Sequence, residues 1–294
     1  MGWRTVVVTS HAKLDLQSGF LMVRNEDGVK RVLLDELDLL LIENPAVALT
    51  GVLVAELCER KINVIFCDRS RNPIGMVHSF FGCHDATGKL REQLQWRAEA
   101  KMGVWNAIVK EKINNQAQLL KRNGRLFSAG QLESLKEEVL GDDITNREGH
   151  AAKMYFGALF GEDFARRKNM EINKALNYGY MVMLGVFNRA LISQGYLTQL
   201  GINHCNVHNP FNLSCDLIEP FRVVVDEIVL KMMEEGDFEF DKNCKRGLLS
   251  ALYQEYRIGE NKHALPDAIA IYVRSICAAL SNNDISKIVF ANLC

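Results

Sequence analysis

The segment Gly201–Arg222 constrains this chain more than any other, because it places a histidine and two carboxylates around the start of an apolar helix. His204 lies in a loop-like stretch, and Asp216 and Glu219 follow where the helical pattern begins. Pro220 fits only within the first turn of a helix, which puts both acids at the helix start. Residues three apart lie on one helix face with Cβ atoms about 5–6 Å apart, so both carboxylates can reach one point in space.

Two carboxylates held together need compensation, because unit charges about 4 Å apart repel by about 4 kcal/mol at an effective dielectric of about 20. The fold must protonate one acid, supply a cation or leave both well solvated. A hard divalent ion such as Mg²⁺ or Mn²⁺, which prefers oxygen ligands and tolerates an imidazole, is the chemically useful solution. The alternative is that Asp216 and Glu219 are ordinary first-turn acids, which the helix dipole stabilises by up to about 1 kcal/mol.

The composition limits the class of protein. With 294 residues, 48% of them hydrophobic, the chain is long enough for one large domain or for a small domain and a larger one. The net charge of −1 gives no overall sign of nucleic-acid binding, which would need local basic patches. The eight cysteines form no C-x-x-C pair, which indicates reduced thiols and disfavours a disulfide scaffold or a structural zinc site. No signal peptide or membrane-spanning run is visible, so we expect a soluble, cytoplasmic protein.

The pattern of hydrophobic residues predicts an α+β protein with a small N-terminal β-rich domain at residues 1–82 and a larger all-α domain at residues 83–294. In the first domain we expect a short helix at Thr50–Arg60. The predicted strands are Thr5–Ser10, Phe20–Arg24, Val29–Leu34, Leu37–Ile42, Val64–Cys67 and Ile74–His78. The predicted helices of the second domain include Lys89–Arg122, Ser128–Leu140, one from about Thr145 to Phe160, Leu248–Arg257 and Pro266–Asn282.

Glu148 is a third candidate acid, near the start of a predicted helix. It shares a helix face with the apolar residues Ala152, Tyr155 and Leu159, where a carboxylate needs a partner or a metal. It also follows Thr145 by three residues, which is the spacing of a capping box. Taken alone, this spacing favours the capping role over the metal role.

Two further features are ambiguous from local sequence. Arg166, Arg167 and Lys168 form a basic cluster that suits phosphate contact, but a solvated basic turn explains it equally well. Gly179 lies in mid-helix beside Tyr178 and Tyr180, where glycine costs about 1 kcal/mol relative to alanine. This placement indicates close packing or a nearby ligand.

Three motifs follow one another along the chain, after a β-rich domain and the start of a helical one. They are Asn146-Arg-Glu-Gly-His-Ala-Ala-Lys-Met-Tyr-Phe, Asn173-Lys-Ala-Leu-Asn-Tyr-Gly-Tyr, and Gly201-x-x-His together with Asn212-Leu-Ser-Cys-Asp-Leu-Ile-Glu-Pro-Phe-Arg. In this order the chain resembles, over essentially its whole length, the CRISPR-associated adaptation integrase, the endonuclease-like Cas protein that inserts new spacers. The residue sequence of the last motif is most similar to that of members from type II, Cas9-containing systems.

The resemblance implies a catalytic metal site. Its ligands would be the glutamate of the Glu-Gly motif, the histidine of Gly-x-x-His and an acid on the following helix, which are Glu148, His204 and Glu219 here. Asp216 would be a nearby second catalytic acid. Many relatives have aspartate where this chain has Glu219, and the resemblance leaves open whether Asp216 is itself a ligand.

The implied reaction is strand transfer with Mg²⁺ or Mn²⁺, in which a prespacer 3′-hydroxyl attacks a phosphodiester at the edge of a CRISPR repeat. As a hypothesis, the DNA-contact residues are Arg166, Arg167, Lys168, Tyr178 and His208. The resemblance assigns no role to His208 or His150, which we interpret as close to DNA or structural. Two alternatives stay open from the sequence. One is a nuclease that only hydrolyses DNA, and the other is a DNA-binding scaffold whose acids are helix caps.

The resemblance also implies a set of partners. We expect a homodimer formed through the β-rich dimerisation domains, with the α-helical domain carrying catalysis and DNA binding. Two dimers would be bridged by the small ferredoxin-like adaptation partner into a heterohexameric complex that holds double-stranded DNA, both prespacer and repeat. Cas9 and the ring-forming accessory protein of type II systems are further expected partners, and no membrane is involved.

Overall fold

A computed structural model describes residues 4–77, 79, 83–141, 143, 146–168, 170–236 and 238–293. The chain divides into two compact units, Met1–Ala86 and Thr87–Cys294. The first unit is rich in β-strands and the second is mostly helical, which confirms the predicted α+β class.

The N-terminal unit contains two four-stranded sheets and one helix. The strands are β1 (Arg4–Val8), β2 (Lys13–Gln17), β3 (Phe20–Asn25), β4 (Gly28–Leu33), β5 (Leu37–Ile42), β6 (Ala48–Leu49), β7 (Asn63–Cys67) and β8 (Pro73–Val77), and the helix is α1 (Gly51–Glu59). One sheet has the strand order β1-β5-β7-β8 and the other β4-β3-β2-β6. Leucines on both sheets and on α1 are fully buried and form one apolar core, among them Leu14, Leu21, Leu40 and Leu53.

The predicted strands and the predicted helix of this unit are present, although His78 lies outside the described residues. Thr50 caps α1, as its side chain accepts a hydrogen bond from the Leu53 N–H. The sequence patterns missed the two-residue strand β6 and also β2, which carries Asp15, a residue type that is rare in strands. In the structure Asp15 is paired with Arg24 of the neighbouring strand at 2.8 Å, so the charge is compensated across the sheet.

The second unit is built from helices and one hairpin. The helices are α2 (Ala86–Leu94), α3 (Ala98–Arg122), α4 (Leu126–Glu137), α5 (Arg147–Phe160), α6 (Glu171–Ser193), α7 (Asn212–Leu217), α8 (Arg222–Glu234), α9 (Lys242–Ser250) and α10 (Leu265–Asn282). The hairpin consists of β9 (Glu255–Ile258) and β10 (Asn261–Ala264). In the described part of the chain, no helix is both long and apolar enough to span a membrane.

Two helix predictions for this unit need correction. The long helix expected at Lys89–Arg122 is interrupted between α2 and α3, where the Trp96 indole is buried and donates a hydrogen bond to Ser281. The helix expected at Leu248–Arg257 is wrong, because α9 ends at Ser250 and the chain then enters the hairpin. Gly259 supplies the left-handed turn of that hairpin with φ +59°.

Gly179 marks the closest approach between α6 and α8. A Cβ atom at this position would lie 2.5 Å from Cγ1 of Val225, so no larger residue fits without displacing α8. Of the two explanations that the sequence allows for this glycine, the structure therefore supports close packing.

A buried carboxylate joins the three helices α5, α6 and α8. Asp226 of α8 is fully buried and accepts hydrogen bonds from the hydroxyls of Tyr155 on α5, at 2.8 Å, and of Tyr180 on α6. Burial raises the pKa of Asp226 to about 6, and the two tyrosine hydroxyls together with Arg222 and Arg166 oppose this rise.

Asp226→Asn should change how stability depends on pH. Because the pKa of Asp226 is raised from 3.8 to about 6 on folding, the wild-type native state binds more protons than the unfolded state between these values. The stabilisation is present below about pH 4 and is lost as the pH rises through about 6. We expect the wild type to lose about 2 kcal/mol of unfolding free energy relative to the variant between pH 4.5 and 7.5. Urea denaturation of both proteins at these two pH values measures this, and a constant difference would contradict it.

Candidate active site

Glu148 lies in the first turn of α5, and Asp143 shapes that turn. The Asp143 carboxylate accepts the backbone N–H groups of Arg147 and Glu148, both at 2.8 Å, so two donors at the helix start are satisfied. The helix begins at Arg147, and Thr145, the predicted capping partner of Glu148, lies outside the described residues.

The residues on either side of Glu148 explain the Glu-Gly motif. Asn146 has a left-handed backbone with φ 51°, which folds its side chain against the first turn. A Cβ atom on Gly149 would lie 2.6 Å from Oδ1 of Asn146, so a larger residue would require the Asn146 side chain to move. This local geometry fixes the point from which the Glu148 side chain leaves the helix.

The Glu148 carboxylate is paired with Lys112 of α3. The Lys112 Nζ lies 2.5 Å from Oε1 of Glu148 and also 2.5 Å from Oε2 of Glu219, so one ammonium bridges both acids. Lys112 is only 7% exposed. Burial by itself lowers the pKa of Lys112, but the carboxylates of Glu219 and Glu148 outweigh it and the pKa is raised. The bridge is therefore an ammonium between two carboxylates.

Glu219 is buried at the junction between α7 and α8. It begins a single 3₁₀ turn, Glu219–Phe221, that also contains Pro220. Its second oxygen, Oε1, accepts hydrogen bonds from the guanidinium of Arg222 at 2.9 and 3.0 Å. Burial raises the pKa of Glu219, but Arg222 and Lys112 reverse the effect and lower it to about 2. Glu219 is therefore ionised at neutral pH.

Asp216 faces the His204 loop rather than Glu219. It lies within α7 and is fully buried. Its Oδ2 accepts the N–H groups of Ile202 at 2.6 Å and Asn203 at 3.1 Å, and its Oδ1 accepts the N–H of His204 at 3.0 Å. The sequence places Asp216 and Glu219 on one helix face, but the 3₁₀ turn separates them and they share no cation among their described contacts.

Gly201 lets the loop close on Asp216. A Cβ atom on Gly201 would lie 2.2 Å from the carbonyl oxygen of His204 and 2.8 Å from Oδ2 of Asp216. The spacing Gly-x-x-His therefore has a steric cause, since only glycine allows the loop to turn tightly enough to bring its amides onto the carboxylate.

His204 is held on two sides. Its Nδ1 lies 2.6 Å from Oδ1 of Asp216, and its ring meets Trp105 of α3 edge-on with 5.9 Å between ring centroids. The hydrogen bond with Asp216 raises the pKa of His204, burial opposes it, and the charges of Asp216, Glu219 and Glu148 raise it further. Because Nδ1 is engaged with Asp216, Nε2 is the ring nitrogen available to a ligand.

The donor set fits a hard divalent ion. Glu148, His204 and Glu219 come from three separate segments, and both carboxylates contact one cation at Lys112 Nζ. Two carboxylates and one imidazole suit Mg²⁺ or Mn²⁺. Within the described residues, the donor atoms of these three side chains do not all lie within 4.8 Å of one another. Binding of an ion would therefore require the three side chains to move closer together. The ion would also compete with the Lys112 ammonium for the two carboxylates.

Among the described residues, one cluster in the N-terminal unit has donor atoms that all lie within 4.8 Å of one another. It consists of Cys83, His84 and Asp85, which are largely exposed. This cluster lies in the other unit, and within it the Cys83 thiol donates a hydrogen bond to the Asp85 carboxylate at 2.7 Å.

The predicted basic cluster is only partly exposed to solvent. Arg166 donates to the side chains of Asn173 at 2.7 Å and Asn177 at 2.8 Å, so its guanidinium holds the start of α6. Arg167 and Lys168 are exposed, and the Lys168 ammonium donates to the carbonyl of Asp163. The exposed positions thus remain open to phosphate contact, while Arg166 has a structural role.

Tyr178 and His208 have opposite environments. Tyr178 is buried, with its ring under Lys245 and against Phe240, so protein side chains cover the ring that we predicted to contact DNA. His208 is exposed and lies with His204 on the wall of an open cleft of about 770 Å³. His150 is exposed on α5.

Lys112, Trp105 and Arg222 were not among the predicted site residues, although Lys112 carries a recognisable signal. Trp105, Ile108 and Lys112 share one face of α3 at spacings of three and four residues. The first two are buried apolar residues, so a lysine on that face requires an anionic partner.

Gly201→Ala should destabilise the unit, whereas Gly157→Ala should not. At Gly201 the new Cβ meets the His204 carbonyl and Asp216, so the loop must move and several hydrogen bonds are lost. At Gly157, in α5, nothing lies within 4 Å, and alanine improves helix propensity by about 1 kcal/mol. Urea denaturation of both variants measures the contrast, and equal stabilities would contradict the steric explanation.

Asp216→Asn should lower the pKa of His204 toward 6.5. The hydrogen bond with the Asp216 carboxylate is the largest cause of the raised value, and an amide provides no charge to stabilise the imidazolium. An NMR titration of the histidine ring protons in wild type and variant measures this shift. An unchanged pKa of His204 would show that its neighbours Glu219 and Glu148 dominate instead.

Comparison with known proteins supplies the family. The family model described as CRISPR associated protein Cas1 matches residues 5–255. The chain is 32% identical over 290 residues to the CRISPR-associated endonuclease Cas1 of Neisseria meningitidis serogroup C (strain 8013), covering 98% of this chain and 95% of the relative. It is 28% identical over 247 residues to a CRISPR-associated endonuclease Cas1 of Francisella tularensis subsp. novicida (strain U112), covering 76% of each chain.

Two solved structures share the fold. A casposase bound to integration product superposes with a TM-score of 0.80 at 17% identity, covering 97% of this chain and 94% of the casposase. A CAS1 protein from Thermotoga maritima superposes with a TM-score of 0.72 at 16% identity, covering 95% of this chain and 97% of that protein. With a family match across most of its length and a relative 32% identical over nearly all of it, this chain belongs to the Cas1 family of CRISPR-associated proteins.

Proposed function

We propose that this chain is a metal-dependent DNA integrase and endonuclease of CRISPR adaptation, which joins prespacer 3′-hydroxyl ends to the CRISPR repeat by transesterification. The observation that carries the proposal is the pair of carboxylates, Glu148 and Glu219, that meet at one cation and whose charges also act on His204. The relatives' name of endonuclease and the casposase title, which specifies an integration product, support the same chemistry.

Glu148, Glu219 and the Nε2 of His204 would hold Mg²⁺ or Mn²⁺. Such an ion supplies Lewis-acid polarisation of a phosphate and stabilises negative charge on the attacking or leaving oxygen. Asp216 would fix the imidazole through Nδ1, which leaves Nε2 as the ring nitrogen that could bind the ion. Arg222 holds Oε1 of Glu219, so that Oε2 faces the site. In this assignment Asp216 is a positioning residue rather than a metal ligand.

The DNA would approach along the open side of His204. This residue's side chain is 42% exposed and lines the cleft of about 770 Å³, whereas both glutamates are more deeply placed. Lys101 and His208 lie on the same cleft wall and would contact the phosphate backbone. Arg167 and Lys168, which are exposed, are proposed as additional backbone contacts.

The assembly is also a proposal. We infer that residues 1–82 form the dimerisation domain and residues 83–294 the catalytic and DNA-binding domain. Two dimers and a small ferredoxin-like partner would form a heterohexameric complex on double-stranded DNA, in the cytoplasm. The similar fold of a chain in a structure titled partial Cas6-RT-Cas1–Cas2 complex, with a TM-score of 0.65 at 20% identity, supports such an assembly. Cas9 and the ring-forming accessory protein are proposed as further partners, by analogy with type II systems.

A nuclease that only hydrolyses DNA is the second candidate. The name endonuclease of the relatives favours it, and the same three side chains would serve with water as the nucleophile. The two reactions differ in their products, because only strand transfer covalently joins the prespacer to the target.

Glu219→Gln should reduce strand transfer by about 100-fold or more, because a neutral amide neither holds the ion nor pairs with Lys112. The assay uses a short duplex prespacer, the adaptation partner, a supercoiled plasmid with the repeat, and Mn²⁺, Mg²⁺ or EDTA. Glu133→Gln is the matched control, since Glu133 of α4 forms a surface ion pair with Lys121 of α3.

The products distinguish the candidate functions. Joined products that require a metal and are lost only in Glu219→Gln support the integrase. Nicking without joining favours the hydrolytic nuclease, and full activity of Glu219→Gln would show that the site is assigned wrongly. No DNA chemistry with any metal would favour a binding scaffold.

A further inference from the structure

We propose that Lys112 is a built-in competitor of the catalytic metal, which holds Glu148 and Glu219 together in the metal-free protein and releases both when a divalent ion binds. The inference rests on the proposed function, because it takes these two carboxylates as metal ligands. It adds a residue from a third helix, α3, to the site and assigns it a role in setting metal affinity.

The position of the ammonium is the first argument. Lys112 Nζ lies 2.5 Å from one oxygen of each glutamate, so it occupies the point on which both carboxylates converge. Mg²⁺ binds carboxylate oxygens at about 2.0–2.1 Å and would need the same lone pairs. An ion and an ammonium at this point would repel each other strongly in a buried site, so they cannot share it.

The charge balance is the second argument. Without a metal, the two carboxylates are matched by two cations, Lys112 and Arg222. Arg222 binds the other oxygen of Glu219 and is not in the way of an ion at Oε2. A divalent ion that entered without moving any residue would leave an excess of positive charge. Withdrawal of Lys112 reduces this excess from two positive charges to one, and Arg222 can stay in place.

Burial distinguishes this lysine from an ordinary surface ion pair. The Lys112 side chain is 9% exposed and that of Glu219 is 6% exposed, so solvent screens their attraction only weakly. Removing the lysine leaves the buried Glu219 without one of its two cations and facing the partly exposed Glu148, which destabilises the metal-free protein. The same removal leaves a more attractive site for an ion, because no internal cation has to be displaced.

The test compares Mn²⁺ binding by isothermal titration calorimetry in the wild type, Lys112→Met and Lys121→Met. Lys121 is the matched control, since it lies on the same helix and pairs with Glu133 at the surface. We expect Lys112→Met to bind Mn²⁺ about tenfold tighter or more. Its melting temperature should be lower than that of the wild type in EDTA and should rise more on addition of Mn²⁺. Lys121→Met should match the wild type in both measurements.

The outcomes distinguish a wrong role for Lys112 from a wrong assignment of the metal site. Equal or weaker Mn²⁺ binding by Lys112→Met would overturn the role of Lys112 and leave the metal site intact. If none of the three proteins binds Mn²⁺ and Glu148→Gln leaves strand transfer unchanged, the metal site is absent. The proposed function then fails together with this inference.

A measurement on the wild type covers the case in which Lys112→Met does not fold. Brief acylation of lysine amines, followed by mass spectrometry, compares the labelling of Lys112 in EDTA and in saturating Mn²⁺, with Lys121 as the internal reference. We expect the labelling of Lys112 to increase several-fold with metal, because its ammonium is released from both carboxylates. Labelling that does not change while Mn²⁺ binds would overturn the proposal.

Discussion

The pairing of Lys112 with Glu148 and Glu219 connects the parts of the helical unit that carry the site. Lys112 lies on α3, Glu148 on α5, and Glu219 on the turn before α8. Charges in such a place are costly to desolvate, and the attraction between them offsets this cost only when the geometry is good. Such a bridge contributes little net stability, but it strongly disfavours arrangements in which the three segments do not meet. The same constraint that orients the helices thus brings together two acids that would otherwise repel.

Three buried acids between residues 216 and 226 are compensated in three different ways. Asp216 is surrounded by backbone amides and a histidine, Asp226 by two tyrosine hydroxyls, and Glu219 by two cations. The cationic partners lower the pKa of Glu219 to about 2, whereas burial raises that of Asp226 to about 6 in spite of its hydroxyl partners. Neighbouring acids in the sequence therefore have separate roles: Asp216 shapes a loop, Asp226 joins helices and Glu219 pairs with two cations.

Close approach of the backbone recurs in all three sequence motifs. Each motif contains a glycine at which a Cβ atom would lie within 2.8 Å of a neighbour, namely Gly149, Gly179 and Gly201. At Gly149 and Gly201 the neighbour belongs to the turn or loop that positions a proposed ligand, and at Gly179 it belongs to the packed helix α8. The glycines are therefore explained by sterics alone, and none of them needs a bound ligand to account for it.

The sequence by itself determined the order of the two kinds of structure, most strands and the main helices, which follow from periodicity within short segments, where local physics dominates. Its motifs proposed the acids and the histidine of the candidate site through their resemblance to a known family. The tertiary structure alone decided that Lys112 bridges Glu148 and Glu219, which are 36 and 107 residues away. It also decided that Asp216 organises the His204 loop, that Tyr178 is buried and that residues 255–264 form a hairpin. The physical reason is that an ion pair, a buried ring or a strand pairing depends on which distant segment arrives beside it, and no local pattern contains that information.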